Sequence, residues 1–171
     1  GLLAWSDERS GGGDILVQAL DLAGGLGAPG LIQASTCVGV PNSTGSGGEL
    51  RAYGSPVASE NDVTLLATVL PPMAFGFFIT SDTAATVPSP GGSQGTLCLG
   101  GSIGRYVGPG QILSSGAAGV FSLTLDLDQI PTPTGLISVV AGETRFFQGW
   151  HRDANPGVTS NFTSSLQVVF Q

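Results

Sequence analysis

Turn-forming strings cut this chain into short segments: PNSTGSGG, LPPMA, VPSPGGSQG, VGPGQ, IPTPTG and ANPG stand between apolar stretches. The 171 residues include 28 glycines and 11 prolines, which end helices and make turns. No segment sustains a 3.6-residue apolar period, so helix is expected to be minimal. The glycines lack the G-X-Y period of collagen. Hydrophobic residues, at 41%, suffice for one core, so disorder is not expected. What fits is a turn-rich, all-β domain.

Strands are predicted at 49–54, 62–70, 75–80, 96–99, 119–127, 136–140, 144–151 and 164–170. The clearest alternation is FSLTLDLDQI: Phe121, Leu123, Leu125 and Leu127 line one face, with Ser122, Thr124, Asp126 and Asp128 opposite. Residues 62–70 repeat it, with Val63, Leu65, Ala67 and Val69 against Thr64 and Thr68. Strands at this spacing predict an antiparallel β-sandwich, Ig-like or jelly-roll-like. At the start, LLAWSDERSGGGDILVQALD reads as a hairpin or strand arm around SDERSGGG, followed by the linker AGGLGAPG. The chain therefore divides into an arm and linker, 1–35, and a sandwich domain, 36–171. Gly1 in place of an initiator Met marks a processed product or a piece of something longer. Both ends are expected to be held by a sheet or an interface.

Charge narrows the function classes. The net charge is −7, and all five basic residues are arginines, which argues against nucleic-acid binding. The absence of lysine excludes Schiff-base chemistry, a P-loop lysine and Lys–Asn cross-links. No apolar run approaches the roughly 18 residues of a membrane helix. The two cysteines, Cys37 and Cys98, sit beside turn sequence with no His or Cys at metal-ligand spacing. They read either as a disulfide, worth about 4 kcal/mol through the unfolded state, or as two buried thiols. The Ser/Thr-rich, lysine-free composition favours the disulfide and export.

Enzyme-like strings are present, each with a plainer reading. Gly25, Gly27 and Gly30 match G-x-G-x-x-G, but Pro29 and LIQAST offer no helix to receive a pyrophosphate. G-x-S-x-G occurs around Ser93 and around Ser102, again without the helix that a nucleophile elbow requires. The sole histidine, His151, lies between Trp150 and Arg152, a cation that disfavours an imidazolium. Asp126 and Asp128 are weighed as a glycosidase pair, and Asp7, Glu8 and Asp14 as a structural calcium loop, against solvated carboxylates. Tyr53 and Trp150, with Phe146 and Phe147, are candidates for a sugar-stacking platform, although FFQGW also reads as core. Asn42 (NST) and Asn161 (NFT) are glycosylation sequons, and Asn42 with Ser43 also suits a turn.

Two resemblances follow from these strings. Residues 3–21 resemble the blade repeat W-x-D-x-R-x-G-x-x-D-I-Y-x-Q-x-L-D of bacterial secreted β-propellers. Trp5, Asp7, Arg9, Gly12 or Gly13, Asp14, Ile15, Gln18 and Asp21 carry the match, with Leu16 at the usual aromatic position. One blade cannot close a propeller. Residues 37–170 resemble a C-terminal β module of large secreted bacterial proteins of uncharacterised function. The strings are Cys37 with PNSTG, LPPMAFGFF, GSQGTLCLGGSIGRY, FFQGWHRD and TSNFT; His151 stands where tyrosine is usual. The resemblance implies no catalytic residues.

The expectation is a non-catalytic, extracellular or cell-surface β-sandwich without a cofactor, structural calcium aside. One reading is a structural, self-assembling or adhesive protein, such as a filament or surface-layer subunit joined by strand exchange. The other is a carbohydrate-binding module of a secreted multidomain protein. The strand-donor candidates are the apolar positions Leu2, Leu3, Trp5, Ile15, Leu16, Val17 and Leu20, which need a second surface because an isolated hairpin is marginal in water. That surface is a strand edge of the same chain or of the next copy.

Overall fold

A computed structural model describes residues 30–171 and the backbone of residues 2–7 and 14–19. The chain forms two compact units, Gly1–Leu31 and Ile32–Gln171. In the first, β1 (Leu2–Asp7) and β2 (Asp14–Ala19) pair antiparallel, from Leu2 opposite Ala19 to Asp7 opposite Asp14. This is the hairpin predicted around SDERSGGG. The strand-donor reading falls on side chains outside the described residues, and Leu20 lies outside them altogether.

The second unit contains β3 (Ala34–Cys37), β4 (Glu49–Gly54), β5 (Val63–Thr68), β6 (Phe75–Ser81), β7 (Thr83–Pro88) and β8 (Thr96–Gly100). Short strands follow: β9 (Gly104–Arg105), β10 (Leu113–Ser114), β11 (Phe121–Leu125), β12 (Ile130–Thr132) and β13 (Gly135–Ile137). Two long strands, β14 (Thr144–Ala154) and β15 (Val158–Val169), close the chain. The larger sheet runs β10-β6-β14-β15-β3, with β9 also on β6; the smaller runs β11-β5-β4. Every pairing is antiparallel. The all-β sandwich read from the turns and alternation is the fold. Of the strands outside the predicted segments, β7 is exposed along nearly its whole length and so carries no alternation.

The sheets meet through the residues that alternation selects. Leu50, Ala52, Val63, Leu65, Ala67, Phe121 and Leu125 of the smaller sheet pack against Phe78, Phe147, Leu166 and Val168 of the larger. Gly76 permits this approach, because a Cβ there would stand 2.7 Å from the Phe121 ring. Phe121 thereby meets Phe78 edge-on at 5.1 Å between centroids. One predicted position departs from the pattern. Val69 was expected on the inner face, but β5 ends at Thr68, and Val69 takes φ +58° and is 38% exposed. The left-handed residue reverses the alternation, so Leu70 enters the core instead.

Candidate functional site: an aromatic groove on the larger sheet

The outward face of the larger sheet carries a second, smaller apolar cluster. Ile79, Leu99 and Phe162 are buried there, with Phe77, Leu97, Ile103, Phe146 and Trp150 packed around them. Two local features assemble it. The hairpin of β7 and β8 brings Leu97 and Leu99 to this face. A bulge also falls between Gln148 and Trp150: Gln148 pairs with Ser165, but Trp150 pairs with Phe162, so β15 carries an extra residue. Without it, the alternation that turns Leu166 and Val168 inward would turn Phe162 inward too. Gly149 sits at the bulge and donates its N–H to Thr163 Oγ1 at 2.9 Å.

The β7–β8 hairpin is fastened to the sheet by two devices. Gln148 is fully buried; its Oε1 accepts the Cys98 N–H, and its Nε2 donates to the Thr96 and Thr163 carbonyls, all at 2.9 Å. Beside it, a disulfide joins Cys98 on β8 to Cys37 on β3, the pairing favoured from composition. The loop 89–95 comes down onto β15: Ser93 Oγ donates to the Ser160 carbonyl at 2.8 Å. Gly95 lies so close that a Cβ would stand 2.3 Å from Asn161 Oδ1. The first G-x-S-x-G string is therefore a packing device, with its serine hydroxyl committed to backbone. Ser102, in the second, is exposed on a turn.

Against this cluster lies a groove of about 280 Å³, lined by Phe77, Ile79, Leu97, Ile103, Phe162, Pro90, Gly91, Arg105 and Trp150. Phe77 and Trp150 stack at 4.8 Å between ring centroids, 29° from parallel. Trp150 is half-buried and also borders a neighbouring groove of about 410 Å³ with Gly91, Gly92, Arg152, Val158, Thr159 and Ser160. The two grooves share Trp150 and Gly91.

The predicted platform residues separate. Trp150 is in the groove, Phe146 packs in the same cluster, and Phe147 is fully buried in the main core. Tyr53 stands on β4 beside Arg51 and lines neither groove. Phe77, the stacking partner of Trp150, is marked by the sequence only as part of a strand, because the adjacency is made across the β6–β14 ladder. Both sequons are sealed: the Asn42 amide donates to the Val69 carbonyl at 2.8 Å and the Asn161 amide to the Pro41 carbonyl at 3.2 Å. Each asparagine is at most 2% exposed, so folded protein presents neither nitrogen to a glycosylating enzyme. Asn42 Oδ1 also accepts the Thr44 N–H and hydroxyl, making the predicted turn.

The inward face beneath Trp150 is polar. His151 is fully buried, with Nδ1 at 3.1 Å from the Arg152 carbonyl and Nε2 without a partner among the described residues. A carbonyl only accepts, so Nδ1 carries the proton and Nε2 is a bare, buried lone pair. Burial holds the imidazole below its ordinary pKa, although the Arg152 carbonyl and Asp153 oppose it. The bias expected from the Arg152 charge comes instead from desolvation; Arg152 is exposed and acts on the ring only through its carbonyl, which opposes the shift. Burial also works against the Asp153 carboxylate, but hydrogen bonds from Ser43, the Ala154 amide and Asn161 outweigh it and lower its pKa. Asp126 accepts from the Asp128 amide and the Gln129 side chain, closing a turn. Among the described residues, no three His, Cys, Asp or Glu side chains cluster at metal-binding distance. Of the calcium candidates, Asp7 and Asp14 face one another in the hairpin register, and Glu8 lies outside the described residues.

The fold and groove define a disulfide-fastened antiparallel β-sandwich with an aromatic cleft on its larger sheet. No protein-family model, curated protein or solved structure matches the chain.

Proposed function

We propose that residues 32–171 form a non-catalytic extracellular adhesive module that holds polysaccharide against Trp150. The observation that carries this reading is the Phe77–Trp150 stack, partly buried in a groove on a sheet face. Flat aromatic surface of this kind suits the apolar face of a sugar ring and contributes about 1 kcal/mol or more per contact. The disulfide favours an oxidising compartment, and no helix among the described residues is long and apolar enough to cross a membrane. Gel-retardation against a panel of polysaccharides tests it: the protein is retained by at least one, and Trp150→Ala abolishes retention with an unchanged thermal midpoint. Equal retention of the variant would remove the groove from the account.

A second reading, a self-assembling subunit joined by strand exchange, is favoured by β7, whose sole ladder partner among the described residues is β8. β4 is a poorer acceptor. Its Leu50 N–H already donates to Ser164 Oγ at 2.9 Å, and its Ala52 N–H to the Gln33 side chain.

A further inference from the structure

The described arginines fall into two kinds. Arg51 pairs with Glu49, and Arg145, 6% exposed, pairs with Glu143. Arg105 and Arg152 are exposed and make no ion pair among the described residues. Both stand at the aromatic site: Arg105 lines one groove, Arg152 the other, and Trp150 lines both. No Asp or Glu lines either groove, although the chain as a whole carries a net charge of −7. On an acidic molecule, two exposed guanidiniums in grooves that meet at one indole make a local cationic patch.

Resting on the polysaccharide reading above, we infer that the ligand class is an acidic polysaccharide built from uronic acid residues. A uronate ring offers an apolar face to Trp150, and its carboxylate accepts two parallel N–H bonds from a guanidinium fork. One arginine in each of the two grooves that meet at Trp150 suits successive uronates along one strand. The Ser160 hydroxyl in the second groove is a partner for ring hydroxyls, and the absence of side chains at Gly91 and Gly92 lets a ring approach the backbone. An acidic peptide fits less well. The site is a sheet face whose backbone groups are committed to the β6–β14 and β14–β15 ladders, so an extended peptide finds no edge to pair with.

The test is affinity electrophoresis and calorimetry of the full chain with polygalacturonate, a neutral glucan, a sulfated glycan and poly-glutamate. Polygalacturonate is expected to bind, and to weaken about tenfold or more when added salt shortens screening to about 3 Å, near 1 M. Arg105→Gln with Arg152→Gln should weaken it about tenfold, whereas Arg51→Gln, outside both grooves, changes nothing. These arginines are exposed, so an unchanged thermal midpoint accompanies the loss. Neutral glucan bound as tightly, and unaffected by the arginine changes, would overturn the acidic class while leaving the polysaccharide reading intact. Preference for the sulfated glycan or for poly-glutamate overturns the uronate assignment. Retention by none of the glycans overturns both readings together.

Discussion

At the scale of single residues, His151 makes the sharpest claim. It is buried and uncharged, with no acceptor for a second proton at Nε2. Its folded pKa lies below the ordinary 6.5, so the unfolded chain binds the proton first. Stability is therefore full above about pH 6.5 and declines as pH falls below it. Asp153, also lowered, adds its own loss only at more acid pH, below the ordinary carboxylate range. Urea unfolding at pH 7.5 and 5.5 should show the wild type weakening on acidification, and His151→Gln weakening less. A parallel decline in both proteins would assign the effect elsewhere. Tyr106 makes a second claim. It is 1% exposed, its hydroxyl has no partner among the described residues, and burial drives its pKa well above the ordinary phenol range. Tyr106→Phe removes an unpaired buried hydroxyl, so its denaturation midpoint should equal or exceed that of the wild type. A loss above about 1 kcal/mol would mean that the hydroxyl is satisfied in solution.

At the scale of elements, the β7–β8 hairpin is the part most open to manipulation. It adds no strand to the larger sheet and is attached through Gln148, the disulfide and apolar packing. Gln148→Leu would remove the side-chain partner of the Cys98 N–H and of the Thr96 and Thr163 carbonyls, a cost of about 3 kcal/mol or more. Reducing the disulfide, whose cysteines are 61 residues apart, should cost about 4 kcal/mol in the loop-closure picture. Both act on β8, so reducing the Gln148→Leu protein should cost less than the two effects added. Chemical denaturation of all four species measures the coupling, and strict additivity would separate the two fasteners. The same hairpin supplies Leu97 to the groove, so polysaccharide retention should fall whenever it is released.

For the whole molecule, the boundary between units carries a prediction of its own. The sequence divides the chain at 35/36, whereas the compact unit begins at Ile32. Ile32 donates to the Ala52 carbonyl at 3.2 Å, and Ala34 and Ser35 pair with Gln167 and Leu166 of β15. A chain beginning at Ile32 should therefore match the stability of the full-length sandwich. One beginning at Thr36 loses half of β3 and should unfold at lower denaturant; equal midpoints would make the edge strand dispensable. Sedimentation of the Ile32–Gln171 chain beside the full chain also tests strand exchange. That reading requires concentration-dependent assembly of the full chain and a strictly monomeric truncation.

Much of this fold was legible in one dimension. Alternation in FSLTLDLDQI and VTLLAT picks out which side chains line the core, because a strand's period of two is a local property of the backbone. Glycine and proline strings mark the turns for an equally local reason, the φ values they permit. The hairpin of β1 and β2 and the favoured pairing of Cys37 with Cys98 followed from the same short-range reading and composition. What the sequence could not carry is whatever depends on register between distant strands. Trp150 meets Phe77 only through the β6–β14 ladder, and Phe162 joins them only because β15 bulges opposite Gly149. Val69 leaves the core because one left-handed residue reverses the alternation. Arg105 and Arg152, 47 positions apart in the chain, flank one indole for the same reason. Local chemistry determined the strands and turns; long-range pairing decided which aromatic and charged side chains share a surface.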